Sequence, residues 1–373
     1  MHLISWLCLR STRRVLLPIL VLGTTGTAAS AEEPLDLPTL PGYNRAAPSD
    51  LNDRGQAVGQ ARRIGTNSPD LPVLWSKVGS APDAIEALPV LDGMVGGDAG
   101  AISRSGIPVG SASIPGGFFK AVIWKKELGE WAAVELEPPP GYTHAIAADV
   151  SARGQVVGWA FNPGEMVGAD IVRSAVVWQP SRGGDHTAVL LEAPEGFQST
   201  ATGINELGDI VGTAYRTEVG DSGSFLRSDV VVWRRMPRHH CRHRGGHPTS
   251  TQAPVILPSV EGLPSNTTPA INLFGHVVAT AEGRTGAIRT MRPVFWKRRV
   301  WKWGGSPFED PAVLPIPEGY TDGVARKINV TGRVVGSAVM RVGAALRASS
   351  AAVWRRDHRS GWTGEVLARF SRE

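Results

Sequence analysis

The chain has 373 residues and a formal net charge of +5, and it contains 44 Gly, 28 Pro and 4 Tyr. This length suffices for one large or two ordinary domains with a sizeable core. Gly and Pro spread along the chain favour many short strands joined by turns over a helical protein. No later apolar run approaches the length of a membrane helix, so we expect no transmembrane segment in the mature chain.

The N-terminus predicts an export signal. Arg10, Arg13 and Arg14 precede the short apolar run 15–23, and the small residues 29–31 fit a cleavage site. We therefore expect residues 1–31 to be a signal peptide and the mature protein to reach the periplasm or the cell exterior. Residues 12–17 also resemble a twin-arginine signal, so both that route and the general secretory route stay open.

Basic charge is concentrated in two clusters. Loss of residues 1–31 removes three Arg and leaves a net charge of +2. Nine basic residues lie within 234–244 and 297–302. Without these nine, the mature chain has a formal net charge of −7. Cys241 is the only thiol after residue 31, so we expect no intrachain disulfide.

One unit recurs six times along the chain. Each copy has an apolar run that ends in Trp, and the six Trp are Trp75, Trp124, Trp178, Trp233, Trp296 and Trp354. A nine-residue phrase such as Ile204–Gly212 precedes each Trp, and an apolar segment with a Pro/Gly turn precedes each phrase. Because these three markers recur in the same order in all six copies, they are strong evidence for a repeat.

The fourth copy predicts four short strands, at 188–192, 201–205, 209–215 and 229–234. Four strands per unit and a period near fifty residues predict an all-β fold, a β-propeller of six four-stranded blades. Residues 32–373 then form one domain, with repeats at about 35–80, 81–130, 131–180, 181–250, 251–305 and 306–373. A β-solenoid is the alternative architecture. The segment 365–370 matches a first strand, which would close the ring or begin a seventh blade.

The nine-residue phrase predicts a hairpin turn between strands two and three of each unit. Asn or Ser at the first position and Gly at the fourth are typical of a type I turn followed by a left-handed residue. These structural turn residues are Asn52, Gly55, Ser103, Gly106, Ser151, Gly154, Asn205, Gly208, Asn272, Gly275, Asn329 and Gly332. The two middle positions vary freely, which argues against a catalytic loop.

A second Gly follows in strand three, at 59, 110, 158, 212 and 336, and Ala279 takes its place in the fifth copy. Gly inside a strand indicates that a backbone or a bulky ring packs close by, and the repeated Trp is one candidate for that ring.

The pattern A-x-x-I-N-x-x-G-x-V-V-G, followed by an apolar run ending in Trp, resembles the HAF-repeat family of extracellular proteins. The resemblance covers residues 35 to 356. The resemblance implies an extracellular location and a repeat fold, and it implies no defined activity for this chain.

A His- and Arg-rich insertion follows the fourth Trp, in the predicted connection from strand four to the next unit. His239, His240, Cys241, His243 and His247 are candidate ligands for Zn or Cu, because imidazole and thiolate suit these metals. Their spacing matches no closed zinc site, and a solvated loop of biased composition is the alternative. We expect no other cofactor.

The basic residues of this insertion and of the segment after the fifth Trp are predicted to share one face of the propeller. The anionic-patch candidates are Arg234, Arg235, Arg238, Arg242, Arg244, Lys297, Arg298 and Arg299. Such a patch suits a polysaccharide or an anionic cell-surface component, and we expect no nucleic-acid partner. The long, dissimilar connections between strands three and four lie on the opposite face, where binding commonly resides.

The sequence thus favours an exported, non-catalytic repeat scaffold or binding module. A competing hypothesis is an exported hydrolase or lyase that acts on a glycan through residues from different blades. The sequence leaves the ligand and the oligomeric state open.

Overall fold

The computed structural model describes residues 37–66, 68–78, 85–114, 117–167, 170–220, 223–234, 253–285, 288–299, 306–343, 345–357 and 361–368. These residues form 24 strands in six four-stranded antiparallel sheets, arranged as a six-bladed β-propeller. The described part of the chain contains no helix, and hence none able to cross a membrane. The predicted fold class is confirmed.

The strands follow chain order within every sheet. Sheet 1 contains β1 (Arg45–Leu51), β2 (Ala57–Arg62), β3 (Leu71–Trp75) and β4 (Ile85–Ala87). Sheet 2 contains β5 (Gly96–Ile102), β6 (Pro108–Ile114), β7 (Phe118–Glu127) and β8 (Glu130–Leu136). Sheet 3 contains β9 (His144–Val150), β10 (Val156–Val167), β11 (Asp170–Pro180) and β12 (His186–Leu190).

The second half repeats this arrangement. Sheet 4 contains β13 (Gln198–Ile204), β14 (Ile210–Gly220), β15 (Gly223–Trp233) and β16 (Val255–Ile256). Sheet 5 contains β17 (Ser265–Ile271), β18 (Val277–Thr285), β19 (Ile288–Trp296) and β20 (Ala312–Val313). Sheet 6 contains β21 (Asp322–Ile328), β22 (Val334–Val342), β23 (Ala345–Asp357) and β24 (Gly361–Ala368).

The predicted strand numbering is wrong by one. The apolar segment that we placed first in each unit is the fourth strand of the preceding sheet; β12, for example, pairs with β11. Residues 365–368, predicted to start a surplus strand, belong to β24 at the outer edge of sheet 6. The turns with Asn or Ser therefore join strands one and two, and the His- and Arg-rich insertion joins strands three and four.

The turns have the predicted conformation. Gly208 has a φ of 86° and donates its N–H to Asn205 O at 2.9 Å. Asn205 Oδ1 accepts the N–H groups of Leu207 and Asp209. Its Nδ2 also donates to Asn272 O of the next sheet at 3.0 Å, so this side chain links two blades as well as shaping its own turn.

The second Gly of each phrase lies close to the backbone of the neighbouring strand and not to the ring of the repeated Trp. A Cβ on Gly212 would lie 1.9 Å from Thr200 O on β13, and the other four Gly meet the same obstacle at 1.8–2.1 Å. In sheet 5, where Ala279 replaces Gly, the register skips Thr268 and Pro269 and gives Ala279 no partner on β17, and Thr268 adopts a φ of 52°. The candidate role of the Trp ring at this position is therefore wrong.

Five of the repeated Trp instead join two blades, and Trp75 joins sheet 1 to the leading segment. All six are at most 1 % exposed. Each indole N–H donates to a carbonyl in the segment before its sheet; Trp233 Nε1, for example, lies 2.6 Å from Glu192 O. The corresponding bonds in the other sheets span 2.7–2.9 Å.

The ring is packed less tightly between sheets 6 and 1 than elsewhere. Five apolar cores join the five consecutive pairs of sheets, whereas the sixth joins sheet 1 to the leading segment around Leu37 and Tyr43. Val335 of sheet 6 is 43 % exposed, although its equivalents in the other five sheets are fully buried. Leu51 of sheet 1 is 57 % exposed, whereas Ile204 at the same position of sheet 4 is 7 % exposed. We call this junction the seam.

Candidate functional site

The antiparallel sheets divide the connections between two faces. The turn face carries the turns between strands one and two and the connections between strands three and four. The hairpin face carries the connections between strands two and three, which are long and dissimilar, and those from strand four to the next sheet. Every strand number shifts by one. The variable connections and the connections that contain the basic segments are therefore still assigned to opposite faces.

Two carboxylates and one ammonium lie along the first strands near the axis. Asp149 accepts the N–H groups of Val150 and, in the next sheet, Ile204, each at 2.9 Å. Asp50 accepts the N–H of Ile102 at 3.1 Å, and Lys327 Nζ lies 3.3 Å from Asp50 Oδ1 across the seam.

Burial raises the pKa of Asp149, while the charge of Lys327 acts in the opposite direction. Burial also opposes the charge on Lys327, but the carboxylates of Asp149 and Asp50 hold the pKa of this Lys above its ordinary value. Because these carboxylate oxygens are engaged in bonds between sheets, the cluster has a structural role: it ties the first strands together.

A cleft of about 380 Å³ on the hairpin face contains a second pair of carboxylates. Asp98 lies in its wall, where Ser111 Oγ donates to Asp98 Oδ1 at 2.5 Å. Asp70 lines the same cleft and forms a bidentate pair with Arg62. Burial raises the pKa of Asp98, and the charge of Asp70 adds to this effect. Two carboxyl groups with different surroundings can in principle divide acid and base roles.

The Asp98→Asn variant is expected to gain stability relative to the wild type as the pH rises. A carboxyl whose pKa is raised by folding contributes stability at low pH that is lost as pH rises from the unfolded to the folded pKa. The free energy of unfolding of Asp98→Asn minus that of the wild type should therefore be larger at about pH 7.5 than at about pH 4. Urea denaturation at both values measures it. A difference that is constant with pH would contradict the assignment of the raised pKa to Asp98.

The described part of the basic segments is largely paired with carboxylates. Lys297 Nζ lies 2.9 Å from Glu309 Oε1, and Arg298 Nη1 lies 3.1 Å from Asp209 Oδ2. Arg299 borders a separate cleft of about 480 Å³ between sheets 4 and 5.

Arg234 is half-buried, and burial together with the charge of Arg298 lowers its pKa. The other members of the predicted patch, Arg235, Arg238, Arg242 and Arg244, lie outside the described residues. The structure thus brings Arg234 close to Arg298 and leaves the wider patch a prediction.

The predicted metal ligands also lie outside the described residues; they are His239, His240, Cys241, His243 and His247. Within the described ranges, no group of three or more His, Cys, Asp or Glu side chains is placed to hold a metal ion. Zn or Cu binding by the insertion therefore stays a prediction.

The largest cleft among the three described is on the turn face and measures about 650 Å³. Three sheets contribute to it: Glu86 of β4, Trp124 and Trp131 on either side of the β7–β8 turn, and His186 of β12. The turns of sheets 1, 2 and 3 form its inner side. We call this site the tryptophan cleft.

Trp131 is held in place from two sides. Its indole Nε1 donates to Glu86 Oε1 of sheet 1 at 3.0 Å. Lys126, its partner across the β7–β8 ladder, places Nζ 4.9 Å from the centre of the Trp131 ring. The ring is half-buried, so part of its surface faces the cleft. A ring held by a hydrogen bond and a cation offers a preorganised aromatic surface.

Two lysines and one histidine are among the polar groups of the tryptophan cleft. Lys125 Nζ donates to Gly184 O at 2.6 Å, and this bond uses one of its three N–H groups. His186 Nε2 lies 2.9 Å from Gly154 O, and burial lowers the pKa of His186, so this ring is neutral at pH 7. Gln56, Ser76 and Ser105 complete the polar lining.

Sequence reasoning missed this site because Trp131 is not a repeat marker. A weak signal was available: Trp362 follows a Gly-containing turn after the sixth repeated Trp, as Trp131 does after the second. Trp362 pairs with Arg356, as Trp131 pairs with Lys126. Trp362, however, packs against Phe295, at 5.0 Å between ring centres.

A comparison of the chain with protein-family models and with curated proteins finds no match. The resemblance to HAF repeats stays an inference from the turn and Trp pattern.

Proposed function

We propose that the protein is an exported, non-catalytic repeat scaffold that binds a polysaccharide or an anionic cell-surface component. The signal-like features of residues 1–31 and the resemblance to extracellular HAF repeats support export. The periplasm or the cell exterior is the proposed location, through the secretory or the twin-arginine route.

The tryptophan cleft carries the binding part of this proposal. Its volume of about 650 Å³ lies within the usual range for small-molecule sites, which is roughly 300–1,000 Å³. It combines a fixed aromatic surface with a few polar groups, which is the composition of a specific binding site. Among the described residues that line it, Glu86 is the one carboxylate, and it already accepts a hydrogen bond from Trp131. Since glycoside hydrolysis ordinarily needs two carboxyl groups, the cleft favours binding over cleavage.

One observation favours the second candidate, an exported glycan hydrolase or lyase. Asp98 and Asp70 line one cleft on the hairpin face in different electrostatic surroundings. Arg62 engages both oxygens of Asp70, however, and Ser111 occupies one oxygen of Asp98. We therefore rank this function second; release of reducing ends from a glycan, lost in Asp98→Asn, would support it.

The proposed function is tested by a glycan-binding screen with matched variants. We expect the native protein in the periplasm or medium, and we expect it to retain at least one glycan. Trp131→Ala should lower the affinity about tenfold or more, because base or sugar stacking on one aromatic ring contributes on this scale. Trp362→Ala, at the equivalent position of sheet 6, should not change it. Equal retention of both variants and the wild type, with every glycan, would contradict binding in this cleft.

A further inference from the structure

Cationic groups outnumber anionic groups among the described residues of the tryptophan cleft. Lys125 and Lys126 line it, and in the part of the chain that the structure describes Glu86 is the one carboxylate of the lining. His186 is neutral at pH 7 because burial lowers its pKa. The described lining of the cleft is thus net positive, with two lysines and one carboxylate. A positive cleft favours an anionic ligand.

The aromatic surface limits which anions fit. An inorganic anion or a simple phosphate gains nothing from an indole ring. A pyranose ring presents C–H groups on one face, and these pack on an aromatic ring while its hydroxyls turn to polar neighbours. Trp131 supplies the ring, and Gln56, Ser76 and Ser105 supply hydrogen-bonding groups in the same cleft.

The two lysines have donors left for a carboxylate. Lys125 uses one N–H on Gly184 O, which leaves two. Lys126 lies over the Trp131 ring, with Nζ 4.9 Å from its centre. A cation next to an aromatic ring matches a sugar that carries its negative charge on the pyranose itself. Hydrogen bonds to a charged acceptor are stronger than those to a neutral hydroxyl.

We propose that the tryptophan cleft binds an acidic saccharide, one that bears uronate groups, through stacking on Trp131 and ion pairing with Lys125 and Lys126. This inference rests on the proposed function, because it names the ligand class of the same site. A sugar of this kind is a component that an exported protein meets in acidic extracellular polysaccharide.

The test is calorimetric titration of the purified chain with an oligogalacturonate and with its fully methyl-esterified form. The two probes share one backbone and differ in charge, so their comparison isolates the carboxylates. We expect the acidic form to bind about tenfold or more tightly, since one charge-assisted hydrogen bond accounts for such a factor. Inorganic polyphosphate, an anion without sugar rings, should bind more weakly than the oligogalacturonate.

Matched variants assign the effect to the cleft. Lys126→Gln should weaken oligogalacturonate binding about tenfold and weaken binding of the methyl ester less, because the ester retains the stacking on Trp131 but offers no carboxylate. Arg356→Gln, the counterpart in sheet 6, should change neither. Trp131→Phe should retain more affinity than Trp131→Ala, which separates stacking from loss of the fold, and circular dichroism of each variant checks the fold directly.

Three results would overturn the inference. Equal affinity for the acidic and esterified oligomers removes the requirement for charge, while leaving a saccharide-binding cleft in place. Equal affinity for polyphosphate removes the requirement for a sugar. Absence of uronate binding, when the glycan screen yields another ligand that depends on Trp131, rejects this ligand class and leaves the proposed function standing; absence of any such ligand rejects both.

Discussion

Replacement of Gly212 by Ala is expected to destabilise the propeller by about 3 kcal/mol or more, at the upper end of single substitutions. The added Cβ would lie 1.9 Å from Thr200 O and 2.9 Å from Ala201 Cα. Both obstacles are backbone atoms of the neighbouring strand, so the clash cannot be relieved by rotation of a side chain. Relief requires that β13 separate from β14, which breaks ladder hydrogen bonds. Urea denaturation gives the free energy of unfolding.

Ala279→Gly is the matched control for this substitution. Sheet 5 already accommodates a Cβ at this position, since its register skips both Thr268 and Pro269 and gives Ala279 no partner on β17. Removal of the methyl group should therefore cost about 1 kcal/mol or less, the usual penalty for Gly in place of Ala. A Gly212→Ala variant as stable as the wild type would show that the close approach of the two strands is not required.

Replacement of Ile204 by Ala is expected to cost about 2–4 kcal/mol, in the range of buried large-to-small substitutions. Ile204 is 7 % exposed and packs in the core between sheets 3 and 4. Leu51→Ala, at the equivalent position of sheet 1, should cost less than about 1 kcal/mol because Leu51 is 57 % exposed at the seam. Both differences are measured by urea denaturation under one set of conditions.

A second pair checks whether the difference belongs to the seam. Val157→Ala removes a fully buried side chain of the third sheet, and Val335→Ala removes its 43 % exposed counterpart in the sixth. The Val157 variant should lose more stability than the Val335 variant. If the variants at the seam lose as much as those in the closed interfaces, then sheets 6 and 1 pack in solution as tightly as the others.

The number of blades was predictable, whereas the division of the chain into blades was not. Six Trp and six turns mark a period, and the period predicts six sheets. The boundary between two repeats, however, can be placed at any point of the period. The sequence of an apolar segment such as 188–192 does not show with which neighbouring strand it pairs. That choice depends on the hydrogen-bond ladder between β11 and β12, which forms between residues of neighbouring repeats.

The repeat markers predicted the arrangement of the sheets but did not indicate where the clefts lie. Trp131 is unremarkable in sequence because only its contacts with Glu86 and Lys126, from two different sheets, make it part of a site. Asp98 is likewise a lone carboxyl until the fold places it in one cleft with Asp70. Both sites combine residues from neighbouring repeats. No single repeat therefore contains a motif that would indicate either site.

The most direct test of acidic-saccharide binding in the tryptophan cleft is the response of the Trp indole N–H resonances to oligogalacturonate. In a protein labelled with ¹⁵N at Trp, the resonance of Trp131 should show the largest shift, because its ring lines the cleft. The resonance of Trp362 should stay in place, since that ring lies in sheet 6 against Phe295. A Trp131 resonance that does not move while the oligomer binds would place the ligand elsewhere and contradict the account.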